Sequence, residues 1–289
     1  GNAGGTLALR PVRWQYVLAD DLIDVGEGEA AAGLLPLAAP AWEPDGLEVD
    51  LELVLAVDVS RSMSPDELET QRRGYAEALR SDEVVAAITS GMIGRVALSY
   101  VEWAGPAAQR SVVDWTLIEG AEDAARFAAR IGDRTEPGMR RTSISGALRY
   151  AAESFEGNGF HGLRRVIDIS GDGPNNQGGP VFAARDAVVA EGITINGLPL
   201  MTPEDELAIW DIADLDIYYE DCVVGGPGAF VVPVRGWAAF PEAVKRKLVL
   251  EIAGPPARLW QAEAPGAPRV DCLVGEKTWE RYRRTWGDP

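Results

Sequence analysis

The hydrophobic pattern of this chain changes period several times after residue 46, and each change marks an expected element of secondary structure. Residues 49–59 form the first expected strand, and residues 53–57 within it are continuously apolar, which is typical of a parallel strand buried on both faces. Apolar side chains three and four positions apart predict helices elsewhere. Further strands are predicted over residues 95–103, 110–118, 165–170 and 193–199, helices over 121–131, 142–155, 181–191, 203–213 and 237–252, and a strand or hairpin within 217–234.

A helix start follows the first strand. Ser64 is expected to be its N-cap, Pro65 its first helical residue, and Glu67 the second member of a capping box. Strands and helices therefore alternate along the chain, which predicts an α/β fold with a doubly wound, mostly parallel six-stranded sheet covered by helices on both faces. In such folds, ligands bind beyond the carboxyl ends of the strands.

Three segments differ in composition. Residues 1–46 are rich in Ala, Gly, Pro and acidic residues, and they are predicted to be an N-terminal arm or linker. Residues 47–253 carry the alternating pattern and are predicted to be the folded domain. Residues 254–289 are rich in Pro and Trp with little regular pattern, so they are predicted to be a C-terminal extension.

The charge of the chain excludes two classes of partner. Its 289 residues carry a net charge of -18, which repels nucleic acid phosphates and anionic lipid head groups, so neither is expected to bind. The sequence also has no run of about 18 uncharged apolar residues, so no insertion into a membrane is predicted.

The two cysteines, Cys222 and Cys272, leave two interpretations open. Two buried free thiols would indicate a cytosolic protein, whereas a disulfide would require an oxidising compartment. Closing a loop of about 50 residues would stabilise the fold by roughly 4 kcal/mol in the chain-entropy model. Because the segment after Pro255 needs an anchor, we predict that the cysteines are bonded and that the protein is extracytoplasmic, either periplasmic in a bacterium or secreted.

Oxygen-bearing side chains follow two of the predicted strands and precede one predicted helix. Asp58, Ser60 and Ser62 alternate at the end of the first strand, so an extended chain presents all three on one side. Thr142 stands at the start of a helix, and Asp172 comes just after another apolar strand. These positions all belong to the carboxyl edge of the predicted sheet, so we expect the five side chains to meet in one site.

The chemistry of these side chains suits a hard divalent cation. Ser60, Ser62 and Thr142 would supply neutral oxygens, and Asp58 and Asp172 would accept hydrogen bonds from metal-bound water and from the serines. A mostly neutral ligand set leaves the cation able to take a carboxylate from another molecule. We therefore predict a site for Mg²⁺, or for Mn²⁺ or Ca²⁺, with weak selectivity for Zn²⁺, which prefers nitrogen and sulfur ligands.

The spacing Asp58-x-Ser60-x-Ser62, the distant Thr142 and the later Asp172 followed by Gly resemble the metal-ion-dependent adhesion site (MIDAS) of von Willebrand factor type A (vWA) domains. The resemblance covers residues 47–253. It implies a Rossmann-like sheet with one antiparallel edge strand. It also implies metal-dependent binding of a protein partner that offers an Asp or Glu, with the hydroxyls as ligands and the two carboxylates acting directly or through water. The late cysteine pair is similar to that of secreted bacterial vWA proteins of unknown function.

We expect a binding domain for adhesion or scaffolding and not an enzyme. His161 is the only histidine, it stands in a Gly-rich stretch, and the sequence lacks the Gly-x-Ser-x-Gly turn of hydrolases and the phosphate-binding P-loop. Residues 173–179 are either a polar loop or the rim of the site, and Glu102 and Trp103 are candidates for the same rim. The alternative function is a regulatory vWA subunit of an enzyme complex, such as a metal chelatase or maturation factor, which reduced cysteines would favour.

Overall fold

The computed structural model describes residues 46–132, 139–201, 212–254 and 267–286. The predicted N-terminal arm lies outside the described residues except for residue 46. The predicted helix over residues 203–213 falls outside them up to residue 211.

An α/β sandwich of one central sheet and flanking helices forms the described part of the chain. Its strands are β1 (Leu47–Val49), β2 (Leu51–Asp58), β3 (Val96–Trp103), β4 (Gln109–Ile118), β5 (Phe160–Gly162), β6 (Arg165–Gly171), β7 (Ile193–Met201) and β8 (Val234–Arg235). Its helices are α1 (Pro65–Leu79), α2 (Asp82–Thr89), α3 (Ala121–Gly132), α4 (Ile144–Glu153), α5 (Val181–Ala190), α6 (Leu215–Tyr218), α7 (Phe240–Ala253) and α8 (Val274–Trp286).

Within the described residues, six strands build the central sheet in the order β4-β3-β2-β6-β7-β8. Every neighbouring pair is parallel except β3 and β4, which run antiparallel at one edge. The predicted doubly wound, mostly parallel sheet with one antiparallel edge strand is therefore confirmed. Strand order reverses between β2 and β6, and this reversal is where folds of this class place their ligands.

Strand β2 is buried on both faces, as its apolar run predicts. Leu53 and Leu55 pack with α1, α2, α3 and α7 on one face, whereas Val54 and Ala56 pack with α4 and α5 on the other. Successive side chains of a strand point to opposite faces, so a strand between two helical layers needs apolar residues at every position.

The start of α1 is built as the sequence predicts. Ser64 Oγ accepts a hydrogen bond from the backbone N of Glu67, and the Glu67 carboxylate accepts one from the backbone N of Ser64 at 2.7 Å. Pro65 occupies the first turn. This capping box fixes the point at which the loop after β2 ends and α1 begins.

A cluster of ionisable side chains is buried between the sheet and α7. Lys247 Nζ lies 2.6 Å from Asp168 Oδ1 and 2.5 Å from Glu251 Oε1, and none of the three side chains is more than 1% exposed. Asn196 donates a hydrogen bond to Glu251 at 3.0 Å. Burial and the neighbouring charge of Asp168 raise the pKa of Glu251 to about 7. One ammonium group therefore faces two carboxyl groups in the core.

The prediction of a strand or hairpin within residues 217–234 is wrong for its first part. Residues 215–218 form α6, and Tyr219–Val223 continue it as a π-helical turn. Tyr218, Tyr219, Cys222 and Val223 are buried, and their spacing is that of one helical face. Aromatic and β-branched residues favour strands in general, but packing against the sheet overrides that preference here.

The C-terminal extension is also more regular than predicted, because residues 274–286 form helix α8. Cys272 just before α8 is bonded to Cys222 in the π-helical turn, with 5.5 Å between their Cα atoms. The predicted disulfide is confirmed. It joins the extension to the main body of the fold.

Candidate metal centre

Three of the predicted metal residues, Asp58, Ser60 and Ser62, lie at the end of β2 and in the loop that follows it. The backbone N of Ser60 donates to Asp58 Oδ1 at 2.7 Å, and Ser60 Oγ lies 3.0 Å from Ser62 Oγ. Gln71 of α1 donates to the Asp58 backbone carbonyl at 2.8 Å and holds the end of the strand against the helix. Asp58 and Ser60 are buried and Ser62 is exposed, so this loop runs from the core to the surface.

Asp172 follows β6, the neighbour of β2. Val57 and Ser170 are paired in the register of these strands, so Asp58 and Asp172 leave the same edge of the sheet. Gly171 packs directly on Asp58, because a Cβ at Gly171 would stand 3.0 Å from Asp58 Oδ2. Burial raises the pKa of Asp58 well above its usual range, and the charge of Asp172 raises it further.

Thr142 comes to the same edge through two loop contacts. The backbone N of Met139 donates to the Val59 carbonyl at 2.9 Å, which brings the segment before Thr142 beside β2. The backbone N of Thr142 donates to Asn176 Oδ1 at 3.1 Å, and the backbone N of Asn176 donates to the Thr142 carbonyl at 3.0 Å. Thr142 is therefore tied to the loop that follows Asp172.

The donor set fits a hard divalent cation. Among the described residues, Asp58 Oδ2 is fully buried and has no hydrogen-bond partner, although such atoms are normally satisfied in native proteins. A second carboxylate nearby makes this atom still less favourable unless a positive charge balances both. The described residues hold no group of three or more His, Cys, Asp or Glu that suits a metal. A cation bound at this edge would therefore take much of its coordination from neutral oxygens, such as hydroxyl groups and water.

Two further side chains lie at this edge, and neither was among the predicted metal residues. Tyr219 Oη lies beside Gly171, where a Cβ would stand 2.9 Å away, and burial and the charge of Asp58 raise the pKa of this tyrosine. Asn175 is buried in the loop after Asp172 and is the most connected side chain there. The polar run over residues 173–179 was a usable signal for Asn175, but no sequence signal marked Tyr219.

The expectation that Glu102 and Trp103 lie on the rim is wrong, since both are fully buried. Glu102 forms ion pairs with Arg72 of α1, at 2.7 Å, and with Arg110 of β4. These contacts join three elements beneath the site, so the carboxylate has a structural role. His161 is exposed on β5, which precedes β6 and so lies away from the carboxyl edge.

Solved structures share this fold at low sequence identity. Proximal thread matrix protein 1 of the mussel byssus has 16% identity and a TM-score of 0.53, over 72% of this chain and 49% of that protein. The pilus adhesin SpaC of Lactobacillus rhamnosus GG has 12% identity and a TM-score of 0.51, over 71% and 30% of the two chains. A von Willebrand factor type A protein of Catenulispora acidiphila has 15% identity and a TM-score of 0.46, over 71% and 43%. This chain thus spans about half the length of the mussel protein and less than half the length of the other two proteins.

The sheet order is that of a Rossmann-like fold of the vWA type. The chain belongs to the family described as protein of unknown function DUF1194, whose model matches residues 48–256. A sequence comparison with curated proteins gives no match. One structure of the mussel protein, with a TM-score of 0.49, has a zinc-occupied MIDAS motif. No described helix is long and apolar enough to cross a bilayer.

Proposed function

We propose that the carboxyl edge of the sheet binds one divalent cation, Mg²⁺ or else Mn²⁺ or Ca²⁺, and that the bound cation holds a carboxylate of a protein partner. The observation that carries this proposal is Asp58 Oδ2, which is buried without a hydrogen-bond partner close to a second carboxylate, Asp172. A cation at this position would offset both charges. The residue pattern that resembles a MIDAS supports the same assignment.

The five side chains have two kinds of role in this proposal. Ser60, Ser62 and Thr142 supply neutral oxygen ligands, and the hydroxyl oxygens of the two serines already lie within hydrogen-bond distance of each other. Asp58 and Asp172 act as ligands or accept hydrogen bonds from metal-bound water. A dication with few charged ligands attracts a further carboxylate strongly. The five residues therefore favour an acidic partner over a neutral one.

The binding role is an adhesion or scaffold function outside the cytoplasm. Ser62 is exposed and Asp172 is half-buried, so a partner can reach this edge of the sheet. The Cys222–Cys272 disulfide supports an oxidising compartment. It also weighs against the alternative of a cytosolic regulatory subunit of a chelatase or maturation complex. We propose no catalytic role for these residues.

Calorimetric titration of metal-stripped protein tests the metal site. We expect one Mg²⁺, Mn²⁺ or Ca²⁺ per chain, and loss of binding in Asp172→Asn. The matched control is Asp186→Asn, because Asp186 is exposed on α5 and pairs with its neighbour Arg185. Zn²⁺ belongs in the same titration, since zinc occupies the motif of the mussel protein, although oxygen ligands favour the harder ions. No binding at millimolar concentration of any hard cation would refute the assignment.

Capture of partners in Mg²⁺ and in chelator tests the binding role. Proteins retained through the site should elute with chelator. Their affinity should fall when the contacting Asp or Glu becomes an amide, because a neutral oxygen is a poorer ligand for a hard dication. If the same proteins are retained in both buffers, the metal does not mediate binding and the site is structural.

A further inference from the structure

Asn175 connects the loop after Asp172 to helices α4, α6 and α8. Its Oδ1 accepts a hydrogen bond from the backbone N of Ser145 at 3.0 Å, at the start of α4. Its backbone N donates to Tyr218 Oη at 3.2 Å, and its Nδ2 donates to the Gly179 carbonyl at 2.9 Å. Because this side chain is fully buried, its contacts fix where the loop leaves Asp172.

Helix α8 supplies the remaining contact of Asn175. Glu276 Oε1 accepts a hydrogen bond from Asn175 Nδ2 at 2.6 Å. Gly275, one residue earlier, packs on the loop backbone so closely that a Cβ there would stand 2.1 Å from the Asn175 carbonyl oxygen. The first turn of α8 therefore rests directly on the loop that carries Asp172.

The next turn of α8 reaches the loop that carries Thr142. The guanidinium carbon of Arg141 lies 5.2 Å from the centre of the Trp279 ring, within the range of a cation–π contact. Arg141 has a φ of 78°, a conformation that few residues other than glycine adopt, and it directly precedes Thr142. Arg141 also donates to Gln177 Oε1 at 3.1 Å, so α8 contacts both loops at the point where they meet.

The disulfide holds α8 in this place. Cys272 lies two residues before α8, and its partner Cys222 lies in the π-helical turn that begins with Tyr219. Tyr218 Oη accepts a hydrogen bond from the backbone N of Asn175, and Tyr219 Oη lies beside Gly171. The two segments that the disulfide joins therefore both contact the chain next to Asp172.

We propose that α8 is a positioning element of the metal site, in which Gly275 and Glu276 hold Asn175 and through it set the place of Asp172 and Thr142. This inference rests on the proposed metal-binding function and deepens it. Residues that orient metal ligands without touching the metal contribute about 10- to 100-fold to metal affinity in other proteins. We expect a contribution of the same size from the first turn of α8, although α8 lies in the C-terminal extension, far from Asp58 in the sequence.

The test compares the Mn²⁺ affinity of four variants of the full chain by calorimetry. Glu276→Ala removes the acceptor of Asn175, and we expect Mn²⁺ affinity to fall about 10-fold or more. Glu276→Gln keeps a carbonyl oxygen at the same place, so we expect an affinity within about twofold of wild type. Gly275→Ala should also weaken binding by about 10-fold, because the new methyl group displaces the helix from the loop. Glu280→Ala is the matched control, since this exposed residue of α8 pairs with Arg284.

A second measurement on metal-free protein separates positioning from general stability. Amide hydrogen exchange of Asn175, Asn176 and Ser145 should speed up in Glu276→Ala and Gly275→Ala but not in Glu276→Gln, while the strands keep their protection. If Glu276→Ala does not fold cooperatively, Gly275→Ala and Glu276→Gln carry the comparison. Equal Mn²⁺ affinity in wild type, Glu276→Ala and Gly275→Ala would overturn the positioning role. Absence of Mn²⁺ binding in wild type would instead overturn the proposed function itself.

Discussion

Replacement of Glu251 by Gln should make the protein more stable at neutral pH, even though it removes a charged residue from an ion-paired cluster. In the wild-type core, Lys247 faces both Asp168 and Glu251. One positive charge cannot balance two negative charges. The two buried carboxyl groups therefore keep one proton between them in the folded protein, at a pH at which solvent-exposed carboxyl groups have already lost theirs. Gln keeps the size of the side chain and its carbonyl oxygen as a partner for Lys247 and Asn196. In the variant, Lys247 forms an ion pair with Asp168 alone, one positive charge against one negative charge.

The magnitude follows from the pKa of Glu251, which rises from 4.5 to about 7 in the folded protein. A group with a raised folded-state pKa binds more protons when folded than when unfolded between those two values. The free energy of unfolding therefore falls as the pH rises through this window. A difference of about 2.5 pKa units at about 1.4 kcal/mol each corresponds to a loss on the order of 3 kcal/mol. Below pH 4.5 this loss is absent, because the carboxyl group is protonated in both states.

Urea unfolding at several pH values between 4.5 and 7.5, in chelator-containing buffer, measures this effect. Wild type should lose stability across the window relative to Glu251→Gln, and the two proteins should converge at the acidic end. Glu153→Gln is the matched control, because Glu153 is exposed on α4 and its replacement should leave the pH dependence unchanged. If Glu251→Gln shows the same pH dependence as wild type, or is less stable at pH 7, the shared-proton argument is wrong.

Three further predictions concern the site, the disulfide and α1. Ser60→Ala combined with Ser62→Ala should abolish metal binding in a calorimetric titration yet preserve cooperative thermal unfolding in metal-free buffer; loss of that cooperativity would make the serines structural. Cys272→Ser removes a cross-link spanning 50 residues and should lower the urea-measured free energy of unfolding by about 4 kcal/mol, whereas a change below about 1 kcal/mol would contradict the loop-entropy argument. Gly74→Ala should lower the melting temperature despite a gain in helix propensity of about 1 kcal/mol, because the new Cβ would stand 2.5 Å from the Phe240 ring; an increase would show that the ring can move aside.

The central sheet could be predicted because its strands are buried on both faces. Residues 53–57 of β2 have only apolar side chains. Along the sequence, segments with the pattern of a helix with one apolar face stand between most of the strands. The edge position of the proposed metal residues followed from the same pattern, since Asp58 lies near the end of one predicted strand and Asp172 just after another. The structure brings the loops of all five residues to one edge. Their assignment as metal ligands stays a prediction.

The parts that could not be predicted depend on contacts between distant segments. Tyr218 and Tyr219 look like strand residues in the sequence, and only their burial against β7 and the site turns them into a helical face. Helix α8 is strongly polar on average, and its few apolar residues lie in a segment rich in Pro and Trp, so its helical period was not recognised, although it is as regular as that of α4. Its placement instead comes from Cys272 and from the close contact at Gly275, and neither feature has a local signature.

The contact between α8 and the loop after Asp172 also has a consequence for the order in which the chain folds during biosynthesis. Glu276 leaves the ribosome 101 positions after Asn175, the residue that it holds, and domains generally begin to fold from their N-terminal side as the chain is made. The sheet and all five proposed metal residues therefore exist as polypeptide before the segment that fixes them arrives. In the oxidising compartment proposed for this protein, formation of the Cys222–Cys272 disulfide would complete the support of this loop. The timing of metal loading in the cell would then follow oxidative folding and not translation.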